Sequence, residues 1–162
     1  KIYPDKNLGI FAYNNLNNIL YNGQVGAGQT AAKGQGWYYH KLNKIKILGL
    51  VVNNAIGDIY KNNKKIFSHF NFSEIDINKN TTLTVLITNL KLDNDELKQL
   101  SHQVHSSMAE TIRPFNTFFD GDIFYACSTE TIQNKYSSKD LIKFYMLCSN
   151  VIKNAIYNSL KK

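Results

Sequence analysis

The chain predicts an α/β domain in which helices cover a sheet, and three observations carry that prediction. Ile47-Leu48-Gly49-Leu50-Val51-Val52 is a continuous apolar run, suited to a strand buried on both faces. Thr82 to Thr88 is dense in β-branched residues and strongly strand-prone. Beyond it, apolar residues recur at steps of three and four in two blocks. The first is Leu97, Leu100, Val104, Met108 and Ile112; the second is Leu141, Phe144, Cys148, Val151, Ile152, Ala155 and Ile156. With 162 residues, 43% of them hydrophobic, one well-filled core is affordable, and no repeat or linker divides residues 1–162.

Taken in order, Phe11, Leu16, Ile19 and Leu20 fall at mostly helical spacing and predict a short amphipathic helix over residues 11–21, ended by Gly23. Residues 23–36 are rich in Gly, Ala, Gln and Thr around Gly26-Ala27-Gly28, so a neighbour or ligand can approach the backbone closely. The glycine spacing is not that of a Rossmann fingerprint. Two strands follow, Trp37 to Lys46 and Ile47 to Asn53, then a turn from Asn53 to Asp58. The polar stretch from Tyr60 to Asn80 reads as loops around a short hairpin. After the Thr82 strand, Asp93 or Asn94 caps a helix whose end is set by Pro114. Ile123 to Cys127 is the fourth strand, with Ser128 and Glu130 as turn residues beyond it. Ser137 and Asp140 form a capping box for the last helix.

The formal charge of +7 favours anionic partners, but the lysines are scattered, with the densest group at Lys61, Lys64 and Lys65. Without a recognised motif this argues against a nucleic-acid partner. Arg113 is the only arginine, and its planar fork suits a site where lysine fails. No apolar run approaches the roughly 18–20 residues that span a bilayer, so the chain reads as soluble, with no membrane partner. Cys127 and Cys148 lack CxxC spacing and read as small buried apolar residues in a reducing, cytoplasmic setting. Asn71-Phe72-Ser73 and Asn80-Thr81-Thr82 match a glycosylation sequon, a common chance match in so Asn-rich a chain. His102 and His105 lack a third metal ligand and an HExxH pattern. The chain begins at Lys1 rather than Met, which predicts that sequence upstream has been removed.

Chemistry concentrates where strands begin. A threonine hydroxyl is a poor nucleophile unless a base lies beside it, and the residue's own α-amine supplies one once the preceding peptide bond is cut. At Asn80-Thr81 this means attack of Thr81 Oγ on the Asn80 carbonyl, an ester, and release by water. Asp120-Gly121-Asp122 opens the fourth strand; an i, i+2 carboxylate pair shares one face of an extended chain, and Gly121 leaves room between them. Such a pair orients an ammonium group or moves a proton. Taken alone, a Thr-Thr pair is β-propensity and an Asp-Gly-Asp a solvated turn.

The combination resembles the DmpA-like aminopeptidases, peptidase family S58, which include L-aminopeptidase/D-esterases, β-peptidyl aminopeptidases and nylon-oligomer hydrolases. Residues carrying the resemblance are Thr81-Thr82 at a strand start, His105 in the following helix, Ile112-Arg113-Pro114, Thr117 and Phe119-Asp120-Gly121-Asp122-Ile123-Phe124. Upstream, Gly23-x-x-Gly26-Ala27-Gly28 resembles the family's Gly-rich loop, and Val52-x-Asn54-Ala55-Ile56-Gly57-Asp58 its post-strand motif. Asn116 stands where the family often has His, and residues 31–37 depart from its denser glycine pattern.

The resemblance implies a layered αββα sandwich of the DmpA/ornithine acetyltransferase type, present here in part, because family members are longer and an N-terminal segment is missing. It implies self-cleavage between Asn80 and Thr81 into residues 1–80 and 81–162, with Thr81 as nucleophile and, through its amine, general base. Asp120 and Asp122 would orient Thr81 and the substrate ammonium, Asn54 would serve the oxyanion, and Lys33, Gly26 and Gly28 would support substrate or oxyanion. The expected activity is amide hydrolysis at the N-terminal residue of small peptides, amides or esters, without metal or organic cofactor, in a homo-oligomer. The rivals are an acyltransferase like the ornithine acetyltransferases, and a truncated, non-catalytic remnant or basic interaction module.

Overall fold

The computed structural model describes residue 10, residues 20–24, residue 31, and residues 33–68, 80–133 and 135–160. Residues 11–19 of the helix expected over 11–21, Gly26, Gly28 and the Asn71 sequon lie outside the described residues, and Leu20 and Tyr21, at its expected end, are not helical.

The predicted strands are present, with shifted ends. They are β1 (Gln35–Leu42), β2 (Ile45–Asn54), β3 (Asp58–Lys61), β4 (Lys64–Phe67), β5 (Thr81–Leu90), β6 (Ile112–Arg113) and β7 (Ile123–Ile132). The first two meet at a turn through Asn43, whose φ of 54° is left-handed, so the boundary falls before Ile45 rather than Ile47. β7 runs five residues past its expected end. Ser128 and Glu130 are therefore strand residues, held through a register irregularity where Ser128 Oγ donates to Leu90 O (2.6 Å) and Glu130 adopts a φ of 54°.

Two helices follow the apolar stripes. α1 (Asn94–Ser107) is capped by Asp93, whose side chain accepts from the Asp95 and Glu96 amides while Glu96 reaches back to the Asp93 amide. It stops well before Pro114: a 3₁₀ turn (Met108–Glu110) carries the stripe onward, and Ile112 and Arg113 already pair with β3. Proline marks the end of the apolar pattern here, not of the helix. α2 (Ser138–Ser159) is capped by Ser137, which accepts from the Asp140 amide and donates to the Asp140 carboxylate. No helix among the described residues is long and apolar enough to cross a membrane.

The main sheet has the order β1-β2-β5-β7; its first two pairings are antiparallel, and β5 and β7 run parallel with α1 in the crossover. A smaller sheet orders β4-β3-β6. One face of the main sheet is covered by α1 and α2, burying Ile47, Val51, Leu86 and Leu90 against Leu100, Val104, Cys148 and Ile152. Cys127, in contrast, is exposed on β7, because odd positions of that strand point to the opposite face. That opposite face carries Trp37, Leu50, Val52, Leu83, Val85 and Tyr125, all partly or largely exposed. β2 is apolar on both faces, with Ile47 and Val51 under the helices and Leu48, Leu50 and Val52 on the opposite face.

Candidate active site

Thr81 lies at the first position of the central strand β5, so it has neighbours on both sides. Asn54, the last residue of β2, is its direct cross-strand partner, and both lie on the open face of the sheet. On the other flank, Asn80 and Asp120 form a parallel bridge just before β5 and β7 join, and Gly121 N donates to Asn80 O at 2.9 Å. The parallel pairing of β5 and β7 is what brings the two strand starts, Thr81 and Ile123, 42 residues apart in sequence, to one edge.

Both carboxylates are engaged with backbone. Asp122 Oδ1 accepts from Thr82 N at 2.7 Å and its Oδ2 from Asn116 N at 3.3 Å. Asp120 Oδ1 accepts from Ile56 N at 3.1 Å; its Oδ2 takes Thr117 N at 3.0 Å and Thr117 Oγ1 at 2.6 Å. Asp120 thus ties the loop after Asn54 to the start of β7, and Asp122 ties β5 to the same segment. Burial raises the Asp122 carboxyl above its ordinary range, against the hydrogen bonds from Thr82, and the charge of Asp120 adds to the rise. His105, on α1 between the rings of Phe115 and Phe124, is lowered by burial, an effect the charge of Asp122 opposes.

The hydroxyl of Thr81 is turned to its own upstream peptide: Thr81 Oγ1 donates to Asn80 O at 2.7 Å. Gly121 makes this possible, since a Cβ there would stand 2.8 Å from Thr81 Oγ1. Gly57 serves the neighbouring loop, where a Cβ would fall 2.0 Å from Pro114 O, so the Asn54–Asp58 turn packs directly on the Arg113-Pro114 backbone.

Lys33 is brought to this edge as well. It is 2% exposed, its ammonium donates to Ala55 O, and its amide donates to Asn53 O at 3.2 Å. Desolvation pulls its pKa from 10.5 down to about 8, while the charges of Asp58, Asp120 and Asp122 hold it from falling further. Asp58, itself buried, is bound by Lys65 (3.0 Å) and Ser68 (2.9 Å).

Of the residues expected from sequence, Asn80, Thr81, Asn54, Asp120, Asp122 and Lys33 are thus gathered at one edge. Arg113 is not among them: it is exposed, bonded to Asn63 and the Glu110 carbonyl, and stacked over Tyr60. Sequence reasoning missed the backbone donors of Ile56, Thr82 and Gly121 and the Ala55 carbonyl. Backbone groups carry no residue-type signal; only the glycine hinted at one.

This edge sets a threonine at a strand start between an amide side chain and two carboxylates, on a sheet that helices cover on one face. The same fold is found in the L-aminopeptidase D-Ala-esterase/amidase of Ochrobactrum anthropi, described as a variant of the Ntn hydrolase fold (TM-score 0.64, 17% identity, 86% of this chain and 44% of that one). It is found again in a Burkholderia sp. β-aminopeptidase (TM-score 0.67, 16% identity, 89% of this chain and 47% of that one). By sequence, residues 17–162 match the model of peptidase family S58, and the chain belongs to that family. It is 31% identical over 164 residues to the 6-aminohexanoate-oligomer endohydrolase of Kocuria sp. (strain KY2), covering 81% of this chain and 46% of the relative. The chain therefore spans about half the length of the curated relatives it matches.

Proposed function

We propose that the protein is a self-processing amide hydrolase, cut between Asn80 and Thr81 into residues 1–80 and 81–162, and acting on the N-terminal residue of small peptides, amides or esters. The observation that carries this reading is the contact between Thr81 Oγ1 and the carbonyl of the bond to be cut, at 2.7 Å. In the first reaction the neutral Lys33 amine accepts the Thr81 hydroxyl proton, Oγ bonds to the Asn80 carbonyl carbon, and the C–N bond to Thr81 breaks as its nitrogen gains a proton. Water then hydrolyses the ester, leaving the Asn80 carboxylate and a free Thr81 amine.

In turnover, that amine accepts the hydroxyl proton and passes it to the leaving amine of the substrate, while the acyl group rests on Thr81 Oγ until water releases it. Its reference pKa of roughly 7.7–8.0 leaves a useful neutral fraction near pH 7. The Asn54 side-chain amide is the donor for the substrate oxyanion, and Asp120 and Asp122 hold the nucleophile's strand and attract the substrate ammonium. This scheme calls on no metal or organic cofactor. The similar proteins, a 6-aminohexanoate-oligomer endohydrolase, an L-aminopeptidase D-Ala-esterase/amidase and a β-aminopeptidase, support an amide substrate. We further propose that a second sheet, from a segment upstream of residue 1, covers the open apolar face, and that the assembled unit oligomerises.

Intact mass of the purified, folded chain tests the reading together with amine release from short peptide p-nitroanilides. Two fragments meeting at Asn80/Thr81, and an uncut Thr81→Ala chain, are expected. A folded wild-type chain that stays whole on prolonged incubation refutes it.

A further inference from the structure

We infer that Gly121 is a catalytic residue of the self-cleavage step, through its backbone N–H as the oxyanion donor for the Asn80 carbonyl and through its missing side chain as the space in which Thr81 Oγ1 is held. The inference rests on the self-processing reading above and assigns two tasks that the side chains of the site leave open.

The first task follows from the donors on one atom. Asn80 O accepts hydrogen bonds from Thr81 Oγ1 at 2.7 Å and from Gly121 N at 2.9 Å. When the hydroxyl gives up its proton and Oγ moves to the carbonyl carbon, the first bond is consumed by the reaction. The Gly121 N–H stays on the oxygen as negative charge develops there. At 2.9 Å this is a well-formed hydrogen bond to the ground-state carbonyl, so the donor is already aimed at the atom on which charge develops. A hydrogen bond to an ionised oxygen is about twice as strong as one to a neutral carbonyl, so this donor holds the transition state more tightly than the starting peptide. It is also preorganised: the bridge between Asn80 and Asp120 anchors it at the mouth of the β5·β7 pair, and both flanking carboxylates are tied to backbone.

The second task is steric. A Cβ on residue 121 would lie 2.8 Å from Thr81 Oγ1, well inside van der Waals contact, and 3.8 Å from Asn80 O. Any side chain would therefore push the hydroxyl off the carbonyl it must attack, while leaving that oxygen and the strand pairing nearly undisturbed. The glycine between the two aspartates thus serves both atoms of the new bond: one is polarised by its N–H, the other fits against its bare Cα.

The test uses the full chain and reads the rate at which the uncut form disappears by intact mass. Replacing Gly121 by the matching α-hydroxy acid turns the Asp120–Gly121 amide into an ester and removes only the N–H; cleavage should slow by about 10²–10³-fold, with an unchanged circular dichroism spectrum. Gly121→Ala keeps the N–H and should slow cleavage by at least as much. Amide hydrogen exchange of Gly121 in the uncut Thr81→Ala chain, which needs no change at residue 121, should be slow. An ester variant within threefold of wild type, or a Gly121 amide exchanging at the open-chain rate, overturns the donor role. A Gly121→Ala chain cleaving at the wild-type rate overturns the steric role. In both cases wild type still cleaves and Thr81→Ala does not, which leaves the self-processing reading standing; a folded wild type that never cleaves removes both.

Discussion

At one end of the β5·β7 pair, Thr81, Asp120 and Asp122 meet Asn54 and Lys33; at the other end, Ser128 and Glu130 meet Leu90 and Lys91. Hydroxyls, carboxylates and a lysine occur at both ends, so residue type does not distinguish them. Burial and hydrogen bonding do. The Asp122 carboxylate is half-buried on two backbone amides, and Lys33 is desolvated to a pKa of about 8. Glu130 and Lys91, by contrast, face each other at 3.6 Å with about half of each side chain in water. An exposed pair of that kind is worth about 0.2–1 kcal/mol and alters no chemistry. The difference arises because the first end is packed under the Asn54–Asp58 loop and the 116–122 segment, whereas the second faces solvent.

The strongest way to break this comparison is at Thr81, the proposed nucleophile. Thr81→Ala should abolish cleavage and turnover, seen as a single intact mass, while the thermal midpoint stays close to that of the uncut protein. Next in size are the carboxylates. Asp122→Ala strands the buried Thr82 amide, and Asp120→Ala the buried Ile56 amide, costing about 1–3 kcal/mol each by urea denaturation, together with most of the cleavage rate.

The lysine sharpens the comparison through pH. Lys33 in the folded chain loses its proton near pH 8, below its ordinary 10.5. Its neutral fraction therefore rises with pH, and the self-cleavage rate should climb to a plateau with a midpoint near 8. Before cleavage no amine is free at Thr81, so that midpoint belongs to Lys33 and should vanish in Lys33→Met. A depressed lysine pKa also means that the unfolded chain binds more protons between the two values. Stability should thus rise as pH increases from about 8 to about 10.5, by up to about 3 kcal/mol, and Lys33→Met should flatten that slope in denaturation curves. The smallest effects are expected at the far end: Ser128→Ala should lose about 1 kcal/mol with its bond to Leu90 O, Glu130→Ala should stay within about 0.5 kcal/mol, and both should cleave at the wild-type rate.

Much of this fold was legible along the chain. Apolar periodicity located both helices and the four strands of the main sheet, because burying a stripe or a run is a local requirement on residue type. The ends were less legible: α1 stops at Ser107 although its apolar pattern continues through Met108 and Ile112 to Pro114. The same rows of side chains pack the core whether the backbone is helical, 3₁₀ or extended. Cys127 was misread for a related reason: its strand was recognised, but which face of that strand met the helices was not.

Sequence by itself determined which residues are able to do chemistry: a threonine behind an asparagine at a strand start, an aspartate pair spaced by glycine, an asparagine at a strand end. Those are properties of side chains and their order, and they also carried the family resemblance. Only the tertiary structure decided that Asp120 and Asp122 spend their oxygens on the amides of Ile56, Thr82, Asn116 and Thr117, that Lys33 is desolvated beside them, and that the Gly121 N–H points at the Asn80 carbonyl. Backbone donors are the same in every residue except proline, and a pKa depends on the water a neighbour excludes; neither is written in the identity of the residue concerned.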